Sequence, residues 1–170
     1  MLRRFMVVAA LVLLPVAAQA QFQAGDKELT LSGQADNGPD FNGFRAGGSA
    51  QIGYFFTKEF EVSLQQTVNY DDIGVQGSNL SFSTGFAVDY HFDLGRMQPY
   101  IGANLGYQYG DVNNTFQAGP EAGIKYFVNS TTFIKAGIEY EFFFDNDSDA
   151  SDAFSDGRFI YQLGIGFRWH

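Results

Sequence analysis

Cysteine is absent from this 170-residue sequence, and proline, histidine and tryptophan are scarce, with four, two and one residues. The absence of cysteine excludes disulfides and thiolate metal sites. The chain also lacks a phosphate-binding glycine loop and a basic patch that would suit nucleic acid. His91 and His170 have no serine or acidic partner at a catalytic spacing. We therefore expect a protein that is not an enzyme, has no cofactor and binds no nucleic acid; a lipid-modifying enzyme is the alternative.

A charged start, an apolar middle and a small-residue end follow one another in the first residues of the chain. Arg3 and Arg4 form the start, residues 5–16 are mostly apolar, and Ala18-Gln19-Ala20 has the small-x-small pattern of a cleavage site. The apolar run is shorter than the ~20 residues that a membrane-spanning helix needs. We expect residues 1–20 to be a cleaved signal peptide and residues 21–170 to form one domain, with an N-terminal membrane anchor as the alternative.

After residue 20 the sequence alternates between apolar and polar residues and shows no convincing helical period. The chain contains 19 Phe, 9 Tyr and 20 Gly, residue types that suit pleated strands and tight corners. Eight alternating segments are predicted: residues 27–33, 44–55, 60–70, 80–92, 99–110, 116–128, 134–144 and 158–169. Pro120 cannot donate to a strand ladder, so we expect a bulge or local distortion there. The pattern predicts an all-β, eight-stranded antiparallel up-and-down barrel.

The volumes of the two faces indicate which one points inward. Most apolar faces carry five or six groups, too much for the lumen of an eight-stranded barrel, whereas the polar face is rich in Gly, Ser and Gln. Three joins, at residues 57–59, 93–98 and 129–132, are tight, and the other four are mostly longer and rich in Asp. This is the pattern of a transmembrane barrel with a polar, side-chain-filled lumen, short periplasmic turns and outer loops. A soluble barrel with an apolar interior is the alternative.

Two segments carry a resemblance to a known family. Residues 99–107, PYIGANLGY, and residues 119–127, GPEAGIKYF, resemble strands of the outer-membrane β-barrel domain family, the OmpA/OmpX-like small eight-stranded porin-fold proteins. The final Gly166-Phe167-Arg168-Trp169 is similar to the end strand that such proteins present to the barrel assembly machinery. The resemblance implies a monomer in the outer membrane of a Gram-negative bacterium, surrounded by lipids that include lipopolysaccharide.

Charged residues of both signs fall on the predicted lumen face. A narrow interior tolerates charges only when they are paired or hydrogen-bonded, so we expect a salt-bridge network that plugs the barrel. The expected network consists of Arg45, Glu61, Glu121, Lys125, Lys135, Glu139, Glu141, Arg158 and Arg168, with Glu28 and Asp89 on the same face. The alternative is a narrow polar channel.

The net charge of −9 comes largely from Asp residues in the predicted outer loops, which contain no Lys or Arg. These residues are Asp36, Asp40, Asp71, Asp72, Asp111, Asp145, Asp147, Asp149, Asp152 and Asp156. Loops of this charge repel polyanions and attract cations or basic partners. We expect a structural or surface-interaction protein that acts through acidic extracellular loops, with a narrow pore for small solutes or ions as the alternative.

The last outer loop partly matches the ligand spacing of a calcium loop. Asp145, Asp147, Asp149 and Asp156 provide carboxylates at similar intervals. Ala150 occupies the position where the calcium loop needs Gly for its turn, and Asp156 replaces the bidentate Glu. These four residues are therefore a weak metal-site candidate.

Overall fold

The computed structural model describes residues 22–37, 44–72, 78–111, 114–144 and 157–170. Within these ranges the alternating segments form eight β-strands. They are β1 (Lys27–Asn37), β2 (Phe44–Phe55), β3 (Phe60–Asp72), β4 (Ser78–His91), β5 (Met97–Gly110), β6 (Thr115–Phe127), β7 (Thr132–Phe144) and β8 (Arg158–Trp169). No helix in the described part of the chain has the length and apolar character needed to cross a bilayer.

The strands close into a barrel in sequence order, each antiparallel to its neighbours. Closure is made by β1 and β8, which pair from Lys27↔Trp169 to Asp36↔Ile160. The connections 56–59, 92–96 and 128–131 lie at the same end as the two termini of the described chain, which we name the turn end. The opposite end, where β1, β3, β5 and β7 end and β2, β4, β6 and β8 begin, is named the loop end. The predicted eight-stranded up-and-down barrel is confirmed.

Side chains point alternately outward and into the lumen, as the pleat of a strand dictates. The outer face is apolar: Phe86 and Leu163 are 60 % and 65 % exposed. The buried set is dominated by polar and charged residues, such as Thr30, Gln51 and Ser63. An apolar outside around a polar inside confirms the predicted lumen and is the reverse of a soluble barrel.

Pro120 interrupts pairing on one side of β6 without adding a residue. Toward β5 it pairs with Ala103, in register with its neighbours. Toward β7 the pairs run to Ala118↔Phe142 and resume at Glu121↔Glu139 in the same register. The structure therefore has a local gap at the residue that lacks a ladder donor, not a bulge, because a bulge would shift the register by one.

Several strands extend further toward the loop end than the apolar alternation predicts. β1 was predicted to end at residue 33, but it pairs with β2 as far as Asn37↔Phe44. Asp36 consequently lies in β1, and Asp71 and Asp72 lie in β3, so the assignment of these three residues to loops is wrong. Ladder hydrogen bonds join backbone groups, which need no apolar side chain to continue the strand.

Candidate functional site in the barrel lumen

Four aromatic rings fill the lumen at the turn end. Phe22 precedes β1, and its ring stacks on that of Phe55 with centroids 3.8 Å apart. The rings of Phe127 and Phe133 approach Phe22 edge-on at centroid distances of 5.3 and 6.1 Å. We name Phe22, Phe55, Phe127 and Phe133 the aromatic cluster; all four are buried. The aromatic cluster lies between the rest of the lumen and the opening of the barrel at the turn end.

A tight turn brings Phe22 back into the lumen. Gly25 has a φ of 92°, a region that residues with a Cβ rarely adopt, and its N–H donates to the Phe55 carbonyl at 2.8 Å. Asp26 then accepts a hydrogen bond from the Gln23 N–H at 2.8 Å, which fixes the same turn. The segment before β1 is thereby attached to β2 through its backbone.

A layer of buried charged residues lies next to the aromatic cluster, on its loop-end side. The Lys125 ammonium donates to Glu28 Oε2 at 2.7 Å and to Glu61 Oε2 at 2.8 Å, and all three side chains are fully buried. The same ammonium lies 5.2 Å from the centroid of Phe22 and 5.3 Å from that of Phe133, within cation–π range. Lys125 therefore joins β6 to β1 and β3 across the lumen and rests on the aromatic cluster.

Two more groups complete this charged layer. His91 Nε2 lies 2.8 Å from Glu61 Oε2. Lys135 donates to Gln51 Oε1 at 2.7 Å, and Gln51 in turn donates to Ser63 Oγ at 2.7 Å. These bonds connect β7, β2 and β3.

Nearer the loop end, the polar contacts are carried mainly by amides. Asn104 donates through Nδ2 to Glu121 at 3.0 Å and to Glu139 at 2.6 Å, and Gln162 donates to Glu139 at 3.1 Å. The Arg158–Glu141 ion pair, 2.8 Å between Nη2 and Oε2, lies beyond them. A cavity of about 30 Å³ lies among these groups, room for about two water molecules.

The structure brings most of the predicted lumen network together, but in separate groups. Glu61 and Lys125 meet directly, Glu121 and Glu139 share Asn104, and Glu141 pairs with Arg158. Arg168 lies at the turn end, where it pairs with Asp26 at 3.3 Å and donates to the Ser130 carbonyl at 2.9 Å. The side chain of Arg45 and the candidate metal loop of Asp145, Asp147, Asp149 and Asp156 lie outside the described residues.

Sequence reasoning missed the aromatic cluster. Phe55, Phe127 and Phe133 have the same parity as the lumen residues Gln51, Lys125 and Lys135 on their strands, so strict alternation would have placed them inside. Phe22 precedes the first strand, where alternation gives no signal.

Ser83, a lumen residue on the same strand as His91, does not form a catalytic pair with it. His91 is bonded to Glu61 at the turn end of β4. Ser83 accepts a hydrogen bond from Gln117 at 2.7 Å and lies eight residues away on the same strand, a separation of ~27 Å.

The comparisons with known proteins agree with this architecture. No family model matches the sequence. An uncharacterized protein of Haemophilus influenzae is 25% identical over 176 residues, covering 87% of this chain and 94% of that protein. The N-terminal β-barrel domain of Pseudomonas aeruginosa OprF superposes with a TM-score of 0.64 at 24% identity, covering 88% of this chain and 100% of that one.

An enzyme is also among the similar structures. The outer membrane enzyme PagL superposes with a TM-score of 0.54 at 16% identity, covering 82% of this chain and 97% of that one. At this identity the likeness concerns the fold and leaves activity open. The chain has the fold of the small eight-stranded outer-membrane β-barrels.

Proposed function

We propose that this chain is a non-enzymatic integral outer-membrane barrel with a structural or surface-interaction role. The observation that carries the proposal is the filled lumen: the aromatic cluster and the Lys125 layer close the turn end, so the barrel serves as a rigid anchor. The apolar outer face, with residues such as Phe86 and Leu163 exposed, supports contact with lipid, including lipopolysaccharide.

In this proposal the turn end faces the periplasm, where signal peptidase releases the chain at Gln21 and the barrel assembly machinery inserts it. The loop end faces outward and presents the acidic loops to cations or basic partners. N-terminal sequencing of the membrane-extracted protein tests the cleavage site. Gel mobility with and without boiling tests the barrel, since a folded barrel is expected to migrate differently from the heated chain.

Conductance across a planar bilayer tests whether the lumen is closed. Because aromatic rings block the turn end, we expect no stable channel steps from the wild-type protein. The variant Phe22→Ala tests whether the aromatic cluster closes the lumen, since it removes the ring that enters from outside the strands. Stable ion-conducting steps from the folded wild-type barrel would contradict the structural proposal.

A narrow pore for small solutes or ions is the second candidate, favoured by the cavity near Glu121, Glu139 and Arg158. If this candidate is correct, neutralising Arg158 with Gln changes the conductance and its preference for cations.

An enzymatic role is tested separately, because a lipid-modifying activity alters the mass of lipid A when the protein is overexpressed, whereas an anchor leaves it unchanged.

A further inference from the structure

One cluster in the charged layer has buried polar atoms without partners. Among the described residues, four buried side-chain atoms of Glu61, Asp89 and His91 lack a hydrogen-bond partner. These atoms are Glu61 Oε1, both carboxylate oxygens of Asp89, and His91 Nδ1. Asp89 is only 1 % exposed, and leaving a buried carboxylate unsatisfied is costly. These atoms are therefore available to a ligand.

The three side chains converge on a small volume. Glu61 on β3 is the direct cross-strand partner of Asp89 on β4, and His91 lies two residues along, on the same face. One donor atom from each residue lies within 4.8 Å of the others. Two metal–ligand bonds of roughly 2.0–2.2 Å place donor atoms at most about 4.4 Å apart, so the side chains close slightly around a bound ion.

The hydrogen bonds assign the tautomer of His91. Glu61 Oε2 already accepts a bond from the Lys125 ammonium, so as a carboxylate oxygen it also accepts from His91 Nε2. In the neutral ring, the proton on Nε2 leaves a lone pair on Nδ1, which has no partner. An ion shared with Glu61 is bound by Nε2, the nitrogen that faces this carboxylate, and the proton of the neutral ring then lies on Nδ1.

The local charge balance favours a divalent cation. In this part of the lumen four carboxylates face two ammonium groups, a surplus of two negative charges when all are ionised. The carboxylates belong to Glu28, Glu61, Asp89 and Glu121, and the ammonium groups to Lys125 and Lys135. Neither oxygen of Asp89 has a hydrogen-bond partner, so this carboxylate is available to a metal.

We propose that Glu61, Asp89 and His91 form a binding site for one first-row divalent transition-metal ion inside the barrel. An imidazole with two carboxylates suits Zn²⁺ or a neighbour in the series, whereas Mg²⁺ and Ca²⁺ favour sites made of oxygen alone. Three protein ligands leave one position of a tetrahedral ion for water. The bound ion ties β3 to β4 and neutralises the charged layer.

The test is metal retention by the full-length chain expressed in bacteria, purified as its mature barrel and refolded in detergent with Zn²⁺. Refolding with the metal allows loading before the aromatic cluster closes the turn end. After removal of free ion, elemental analysis is expected to find about one zinc per folded chain, and Co²⁺ in its place is expected to give visible ligand-field absorption.

Asp89→Asn and His91→Gln are expected to lower zinc affinity by more than the roughly tenfold that loss of an outer-shell partner costs. His170→Gln, which changes the second histidine of the chain, is the matched control and is expected to retain the ion. Folding of every variant is checked by gel mobility. Three results would overturn the proposal. The folded wild-type barrel holds no zinc, both folded variants Asp89→Asn and His91→Gln retain zinc, or only His170→Gln loses it.

A stability measurement gives an independent readout. Without metal, Asp89→Asn is expected to be at least as resistant to urea as the wild type, because it removes an unpaired buried charge. With Zn²⁺ the order is expected to reverse, since only the wild type gains binding energy. An unchanged order with and without Zn²⁺ would also count against the proposal.

Discussion

The turn-end and loop-end halves of the lumen are filled in different ways. At the turn end, aromatic rings pack against a buried lysine, and Lys125 binds two carboxylates directly. Toward the loop end, Asn104 and Gln162 mediate between carboxylates, and a cavity with room for about two waters remains. A fully buried charged group has no solvent contact that could replace a lost partner, whereas a group beside a cavity with room for water does. We therefore expect the same kind of substitution to cost more at the turn end.

The largest loss of unfolding free energy is expected for Lys125→Met. The change leaves Glu28 and Glu61 buried without their ammonium partner, and breaking such a pair costs about 3–5 kcal/mol of unfolding free energy. Urea unfolding in detergent, followed by the fluorescence of the single tryptophan, Trp169, measures the effect. Lys27→Met, on the exposed face of β1, is the control and is expected to change little. Equal losses in the two variants would mean that the charged layer adds no stability.

A somewhat smaller loss is expected for Phe22→Ala. Phe-to-Ala changes in packed sites cost about 3–5 kcal/mol, and we expect the low end because the terminal segment can withdraw from the lumen. Phe56→Ala, in the exposed turn after β2, is the matched control with a smaller expected loss. If the two variants have the same unfolding midpoint, the aromatic cluster does not hold the turn end closed.

Arg158→Gln tests the ion pair of the loop-end half. Arg158 bonds Glu141 through Nε and Nη2, and a hydrogen bond to a charged group contributes about 1.5–3 kcal/mol. We expect Arg158→Gln to lower the unfolding free energy by about 2 kcal/mol. This is less than the loss for Lys125→Met, because water in the adjacent cavity can solvate Glu141. Lys58→Gln removes the exposed pair with Glu59 and is expected to cost less than about 1 kcal/mol. A loss as large as that of Lys125→Met would remove the distinction between the halves.

Alternation predicted the barrel well because its physical cause is local. On β4, Phe86 and Val88 face outward while Asp89 and His91 alternate to the inside, and the pleat alone fixes this. The ends of β1 and β3 were predicted less well, since Asp36, Asp71 and Asp72 carry no apolar signal although their backbones are paired.

The partners within the lumen could not be derived from alternation. Parity places Glu28 and Lys125 inside, but they are 97 residues apart and lie on strands that are not neighbours. Their contact depends on the barrel radius and on the stagger between strands, which set the height of each residue in the lumen. Phe22 lies before the first strand, so its insertion depends on the turn at Gly25 and not on any periodic pattern.

The smallest effect, and the sharpest comparison of the halves, comes from making one substitution in both. Thr30 in the turn-end half donates to Glu28 Oε1 at 3.2 Å, and Thr67 in the loop-end half accepts from Gln65 at 3.1 Å beside the cavity. Thr→Val keeps the shape of the side chain and removes its hydroxyl. Thr30→Val is expected to cost about 2 kcal/mol, because it takes a bond from a charged group, and Thr67→Val about 1 kcal/mol or less. The measurement is the urea midpoint of the two variants, determined side by side. If Thr67→Val lowers the unfolding free energy as much as Thr30→Val, water in the loop-end cavity does not compensate for lost hydrogen bonds, and the two halves are equally rigid.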